Sequence, residues 1–194
     1  RVAARQALRD DGALPPTGGT VRFFNKSIQH LAANRVATAG LIRTFQNVRL
    51  FANMTVLENV MVGLHYRSRA GMAAAALRLP WERTEERTIR DEAQRLLVMT
   101  GLGTLADIGA ENLPFGQQRV VEVARALAAE PTIMLLDEPG AGLSAGERER
   151  LRDLVRRIRA SGVTVLLVEH DMDLVMDLAD RIVVLNYGEK IAEG

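Results

Sequence analysis

Residues 132–144 read TIMLLDEPGAGLS, and how this stretch is read decides the fold. Ile133 to Leu136 is a short, continuous apolar run, the pattern of a strand buried on both faces. It ends in two adjacent carboxylates, Asp137 and Glu138, and then in Pro139 and Gly140. Like charges this close repel, and a bound hard cation would relieve them, because Mg²⁺ takes carboxylate, water and phosphate oxygens. An isolated acidic pair fits a helix cap or a solvated turn equally well. The four apolar residues before it and the proline after it favour phosphate chemistry, and the flanking sequence must supply the rest.

Outward from this stretch the chain alternates. Ser144 and Glu147 stand at capping-box spacing and open a helix with Leu151, Leu154, Val155 and Ile158 inward. Gly162 breaks it, Val163 to Val168 forms a second apolar strand, Met172, Val175, Met176 and Ala179 mark a helix, and Ile182 to Leu185 is a third strand. Upstream, Val120, Val123, Ala124 and Leu127 mark a helix that Pro131 stops. Strands separated by helices of this length predict βαβ units with right-handed crossovers and a parallel sheet. The middle block, roughly 50–110, is helical: Thr55 and Glu58 cap one helix, a second follows Pro80, and 67–80 reads as a loop or weak helix. Before it, Thr20 to Phe24 and Leu41 to Phe45 are strand-like, and Ile28 to Val36 is a short helix. The class is α/β, with a mostly parallel sheet interrupted by a helical insertion.

Ligands in such sheets sit at the carboxyl ends of the strands. Strand 132–136 delivers Asp137 and Glu138 there, and strand 163–168 delivers Glu169, His170 and Asp171. One carboxylate suits a cation, a second can orient or deprotonate water, and a histidine can hydrogen-bond developing phosphoryl charge. The composition excludes other classes. Lys and Arg (25) nearly balance Asp and Glu (24), so no basic field points to nucleic acid, and acids interrupt the arginines of 148–159. With no cysteine there are no disulfides or thiolate metal sites, and no apolar stretch approaches the ~18 residues of a membrane span. His30 and His65 lack partners in the sequence pattern and read as structural, and Trp81 as packing.

TIMLLDEP resembles the Walker B strand of ATP-binding-cassette ATPases, with Asp137 at the magnesium position and Glu138 at that of the catalytic base. ENLPFGQQRVVEVARALAAEP resembles the cassette signature and its helix, GAGLSAGE the D-loop (Gly142, Leu143, Ser144), VEHDM the switch histidine (His170), and LIRTFQN the Q-loop, with Gln46 as a nucleotide and Mg²⁺ contact. The five motifs stand in the family's order over residues 41–194. The resemblance implies a P-loop NTPase-like (RecA-like) core with an inserted helical subdomain, ATP and Mg²⁺ as cofactors, and hydrolysis in a homo- or heterodimer. There the signature residues Leu113, Pro114, Phe115, Gly116 and Gln117 face the nucleotide of the opposite subunit. Pro114 stands where serine is common, Phe115 where glycine is, and the D-loop lacks the family's usual aspartate.

Within the family, IRTFQNVRLFANMTVLENVMVGLHYRS is similar to the ATP-binding subunits of bacterial branched-chain amino-acid importers. That likeness implies membrane permease subunits contacting Val48, Arg49, Leu50 and Phe51, a periplasmic binding protein acting indirectly, and a peripheral place on the cytoplasmic face of the bacterial inner membrane. Alternatives are a urea or other amide importer and a non-hydrolysing nucleotide-binding regulator. A chromosome-maintenance or repair ATPase would carry long heptad insertions, which are absent from the sequence.

The expected domains are 1–46, a remnant of the N-terminal part of the core, 47–112, the helical subdomain, and 113–194, the signature helix with the C-terminal half of the core. The phosphate cradle GxxxxGK[ST] occurs nowhere in the 194 residues, and its lysine would fall near positions 1–5, where the chain reads RVAAR. Both ends read as cuts, and the expectation is a cassette fragment that lacks the Walker A loop and does not hydrolyse ATP unaided.

Overall fold

The computed structural model describes residues 18–44, 48–65 and 80–194. The expected loop or weak helix at 67–79, the N-terminal residues 1–17 and Gln46 lie outside the described residues. The chain forms two compact units, one of residues 1–46 with 131–194 and one of residues 47–130.

The first unit opens with a hairpin, β1 (Arg22–Phe23) and β2 (Lys26–Ser27), and α1 (Ala33–Thr38). Its centre is a three-stranded parallel sheet of β3 (Leu41–Arg43), β4 (Ile133–Asp137) and β5 (Thr164–Val168), in that order. The register pairs Arg43 with Leu135 and Asp137 with Val168, so β4 and β5 end level. The continuous apolar run predicted this central place: Met134, Leu135 and Leu136 are fully buried. A long crossover helix, α5 (Ala145–Ala160), buries Leu151, Leu154, Val155 and Ile158, the face its periodicity predicts.

Three expectations for this unit change. The short helix expected at Ile28 to Val36 begins only at Ala33, because the hairpin strand β2 and a turn precede it. The last apolar strand, β6 (Val183–Asn186), does not extend the parallel sheet; it pairs antiparallel with β7 (Glu189–Glu193). Tyr187 and Gly188 both have positive φ (45° and 86°), the two-residue turn whose twist suits a hairpin, and glycine takes that conformation without strain. The helix α6 (Met172–Leu178) buries Leu174 and Leu178 and leaves Met172 and Met176 exposed, so its inward face is not the methionine face expected. The arginines of α5 are solvated as expected, yet not idle. Arg152 and Arg156 converge on Asp177 at 3.4 and 2.6 Å, and Arg159 meets Asp180. Each exposed pair contributes at most about 1 kcal/mol, enough to align α5 with α6 but not to hold the fold.

The second unit is helical. It comprises α2 (Val56–His65), α3 (Pro80–Thr100), two short 3₁₀ turns (Gly103–Leu105 and Ala110–Asn112) and α4 (Phe115–Ala128). The capping box at α2 is present: the Thr55 amide donates to the Glu58 carboxylate at 2.7 Å, and the Glu58 amide to the Thr55 hydroxyl at 3.2 Å. Val56, Val60, Leu97 and Val121 from the three helices are completely buried in one core. Burying each such side chain contributes roughly 1.5–3 kcal/mol. His65 has a partner after all, lying 3.6 Å from Glu86 on α3. Residues 113–130, grouped with the C-terminal half in the sequence reading, are part of this unit.

Candidate functional site

The level ends of β4 and β5 gather the polar residues of the first unit. Asp137 closes β4, where Arg43 Nη2 lies 3.0 Å from its Oδ2. Because Arg43 pairs with Leu135, and side chains two apart share a face, the guanidinium points along the sheet toward Asp137. Glu138 follows in the left-handed region (φ 45°), which costs a non-glycine residue about 1 kcal/mol. Its amide donates to the Val168 carbonyl at 2.9 Å, and its own carbonyl accepts from Ala141 at 3.1 Å. The chain thus turns sharply as it leaves the sheet and presents Glu138 beside the end of β5.

Beyond Val168 three residues diverge. The Glu169 side chain is only 1% exposed, whereas His170 is 76% exposed. Asp171 caps α6, its Oδ1 accepting from the Leu174 amide at 3.2 Å. Asp137, Glu138 and His170 therefore come to one end of one sheet, as expected.

The D-loop residues lead straight into α5. Gly142 has φ 75°, Leu143 is buried, and Ser144 caps the helix. Glu147 accepts from the Ser144 amide at 2.8 Å and from its hydroxyl at 2.6 Å. Those bonds, the hydroxyl's first, hold the Glu147 carboxyl below the usual carboxylate range.

In the second unit Leu113 is buried, and Pro114 (φ −55°, ψ 149°) stands at the start of α4 with no side-chain cap. Phe115 is 48% exposed, with the Arg119 guanidinium 5.4 Å from its ring centre, and Gly116 is buried. The Gln117 amide already donates to the Pro114 carbonyl at 2.9 Å. Sequence reading missed Gln118, whose side-chain amide fastens this turn by donating to the Leu113 carbonyl at 2.8 Å.

The segment 48–51 is held from two sides. The fully buried Asn59 accepts from the Phe51 amide at 2.9 Å and donates to the Phe51 carbonyl at 3.1 Å. Arg125 donates to the Arg49 carbonyl at 2.6 Å and lies 5.5 Å from the Phe51 ring centre. Burial lowers the Arg125 guanidinium from its ordinary value, with Glu122 opposing the shift. Val48 is half-buried and Arg49 exposed. Leu50 packs against the helical core, leaving Phe51, 48% exposed, as the apolar side chain on display. No sequence signal marks Asn59 or Arg125 for this task, since each grips backbone that a helical pattern does not locate.

The donor set can be tested against a metal and a nucleotide. Among the described residues no three His, Cys, Asp or Glu side chains gather as a metal cage. Mg²⁺ carried on a nucleotide needs only one or two carboxylates besides phosphate and water. Asp137 and Glu138 are carboxylates of that kind, with Arg43 on one oxygen of Asp137. A phosphate cradle of the GxxxxGK[ST] kind is absent from the sequence. Among the described residues no helix is long and apolar enough to cross a membrane.

The family model described as ABC transporter matches residues 11–141. The chain is 42% identical, over 184 residues, to the high-affinity branched-chain amino acid transport ATP-binding protein BraF of Pseudomonas aeruginosa, covering 94% of this chain and 72% of that one. It is 40% identical, with the same coverage, to LivG of Escherichia coli, which carries the same description. Among solved structures, a nucleotide-free ATP-binding cassette from an ABC transporter superposes with a TM-score of 0.80 at 31% identity, covering 98% of this chain and 75% of that chain. A dimeric ATP-binding cassette in a post-hydrolysis state, bound to ADP and Pi, superposes with a TM-score of 0.78 at 28% identity, covering 98% and 79%.

Proposed function

The chain belongs to the ABC transporter family, and from that premise we propose that it is the ATP-hydrolysing subunit of an importer for branched-chain amino acids. The observation that carries the reading is the emergence of Asp137, Glu138 and His170 at the level ends of two parallel strands. In this proposal Glu138 orients and deprotonates the attacking water. His170, exposed on the adjacent strand end, donates to the phosphoryl oxygens as charge builds on them. Asp137, with Gln46, would hold Mg²⁺, which when bound supplies charge neutralisation on the phosphates. The uncapped amides at the start of α4, with Leu113 to Gln117, serve as the anion-facing surface of the opposite subunit, where the helix dipole favours phosphate. The missing serine hydroxyl leaves that work to backbone groups. Gly142, Leu143 and Ser144 form the D-loop between the two catalytic turns of the dimer.

Residues 48–51 are the proposed permease contact, with Phe51 as its apolar anchor. Peripheral attachment to the cytoplasmic face of the membrane follows from that contact, and a periplasmic binding protein acts only through the permeases. The test is transport by the full-length subunit assembled with its permeases in proteoliposomes. ATP-dependent uptake of leucine, isoleucine and valine is expected, and uptake of urea or another amide instead would overturn the substrate assignment.

A further inference from the structure

Glu169 is a carboxylate withdrawn from water one residue from an exposed histidine, and the chemistry above gives it no task. Its Oε1 accepts from the Gly140 amide at 2.7 Å, and its Oε2 from the His170 amide at 3.2 Å. The first bond crosses from the end of β5 to the turn that follows β4, two residues after Glu138. Position 140 is shaped for it, since a Cβ there would stand 2.9 Å from Oε1 and 3.3 Å from Leu174 Cδ2. The carboxylate end of Glu169 thus lies against the backbone at Gly140, in space that a side chain at position 140 would have to share. The same turn holds Glu138 in its left-handed conformation, which persists only where neighbouring contacts over-determine it.

We propose that Glu169 is a positioning residue for Glu138, its buried carboxylate clamping the 138–141 turn to the end of β5 through the Gly140 amide. The clamp also ties the strand end that presents His170 to the turn that presents Glu138, so the two side chains keep one relative placement. A charged acceptor suits this better than a neutral one, because bonds from backbone N–H to a carboxylate are shorter and stronger.

The inference rests on reading Glu138 as the base, and the experiment separates the two. In the full-length subunit assembled with its permeases, Glu169→Ala is expected to lower the hydrolysis rate roughly 10–100-fold, the scale of a misplaced catalytic group. Nucleotide affinity should not change. Glu169→Gln keeps an oxygen toward Gly140 and should recover most of the rate. In ¹⁵N-glycine spectra the Gly140 amide proton should move upfield in Glu169→Ala and hold its place in Glu169→Gln, a readout independent of activity. A normal rate in Glu169→Ala beside an inactive Glu138→Gln would overturn the clamp alone. Equal losses of rate and affinity, or no rescue by glutamine, would also overturn it. A normal rate in Glu138→Gln would instead overturn the reading on which it rests.

Discussion

Two helices begin at the two turns to which the proposal assigns the chemistry, and they begin differently. The start of α5 is closed: Ser144 and Glu147 exchange hydrogen bonds, and the turn before it is pinned to β5 through Gly140. The start of α4 is open: Pro114 offers no cap, and Gln118 secures the turn from behind through the Leu113 carbonyl. The difference follows from what each turn must do. A catalytic carboxylate has to be held in one place, so the turn carrying Glu138 is over-determined. On the same reading, the amides at the start of α4 stay available to a phosphate because no side chain caps them. In the proposed reaction, fixed acids and open amides are the complementary halves.

The largest expected effect concerns what neither turn supplies. Without a phosphate cradle in its sequence, the 194-residue chain forgoes several charge-assisted contacts of roughly 1.5–3 kcal/mol each. Calorimetry with Mg·ATP should therefore show binding orders of magnitude weaker than micromolar. Micromolar affinity would mean that residues read as featureless hold the triphosphate.

Next in size is the closed turn itself. In the full-length subunit, Glu138→Gln should lower steady-state ATP turnover by at least ~100-fold without changing thermal stability. Near-normal turnover would remove Glu138 from the role of base and the reason for pinning it.

The permease contact gives a more selective effect. Phe51→Asp should abolish the stimulation of hydrolysis by the permeases while leaving the basal rate of the free subunit largely intact. Leu50→Asp should instead unfold the helical unit, because Leu50 packs into its core. Crosslinking that placed the permease on α5 would contradict this assignment.

The smallest effects concern the caps. Ser144→Ala should cost about 1 kcal/mol of stability, and Pro114→Ser should add somewhat less by capping α4. The caps also respond to acid. Bonds from Thr55 and Ser144 depress the folded pKa of Glu58 and Glu147, so their contribution is complete above the unfolded carboxylate range and is lost as pH falls through the folded values. A pH titration of thermal stability should lose this acid-side slope when Glu147 is replaced by glutamine, in part for one cap of two.

What the sequence disclosed follows the range of each interaction. Both capping boxes were legible because partners three residues apart need no tertiary knowledge. The buried strand after Thr132 was legible because a continuous apolar run has one comfortable home in an α/β fold. The face of α6 was not, since apolar residues cover more than half of its circumference, all but the side of Asp173 and Asp177, and only packing chooses Leu174 over Met176. The strand β6 was legible but its partner was not, because the turn at Tyr187 and Gly188 folds it back on β7. The Arg43–Asp137 pair spans 94 residues and the Glu169–Gly140 bond 29, and both depend on a register that no local pattern encodes.

In the proposed dimer the closed turn of one subunit and the open turn of another serve a single ATP. Light scattering of the full-length Glu138→Gln subunit, with and without ATP, tests it most directly. The expected result is a monomer that becomes a stable dimer on adding Mg·ATP and stays monomeric when Phe115→Glu places a negative charge at the open turn. A subunit that binds ATP yet stays monomeric, or a dimer indifferent to both ATP and the charge at position 115, would contradict it.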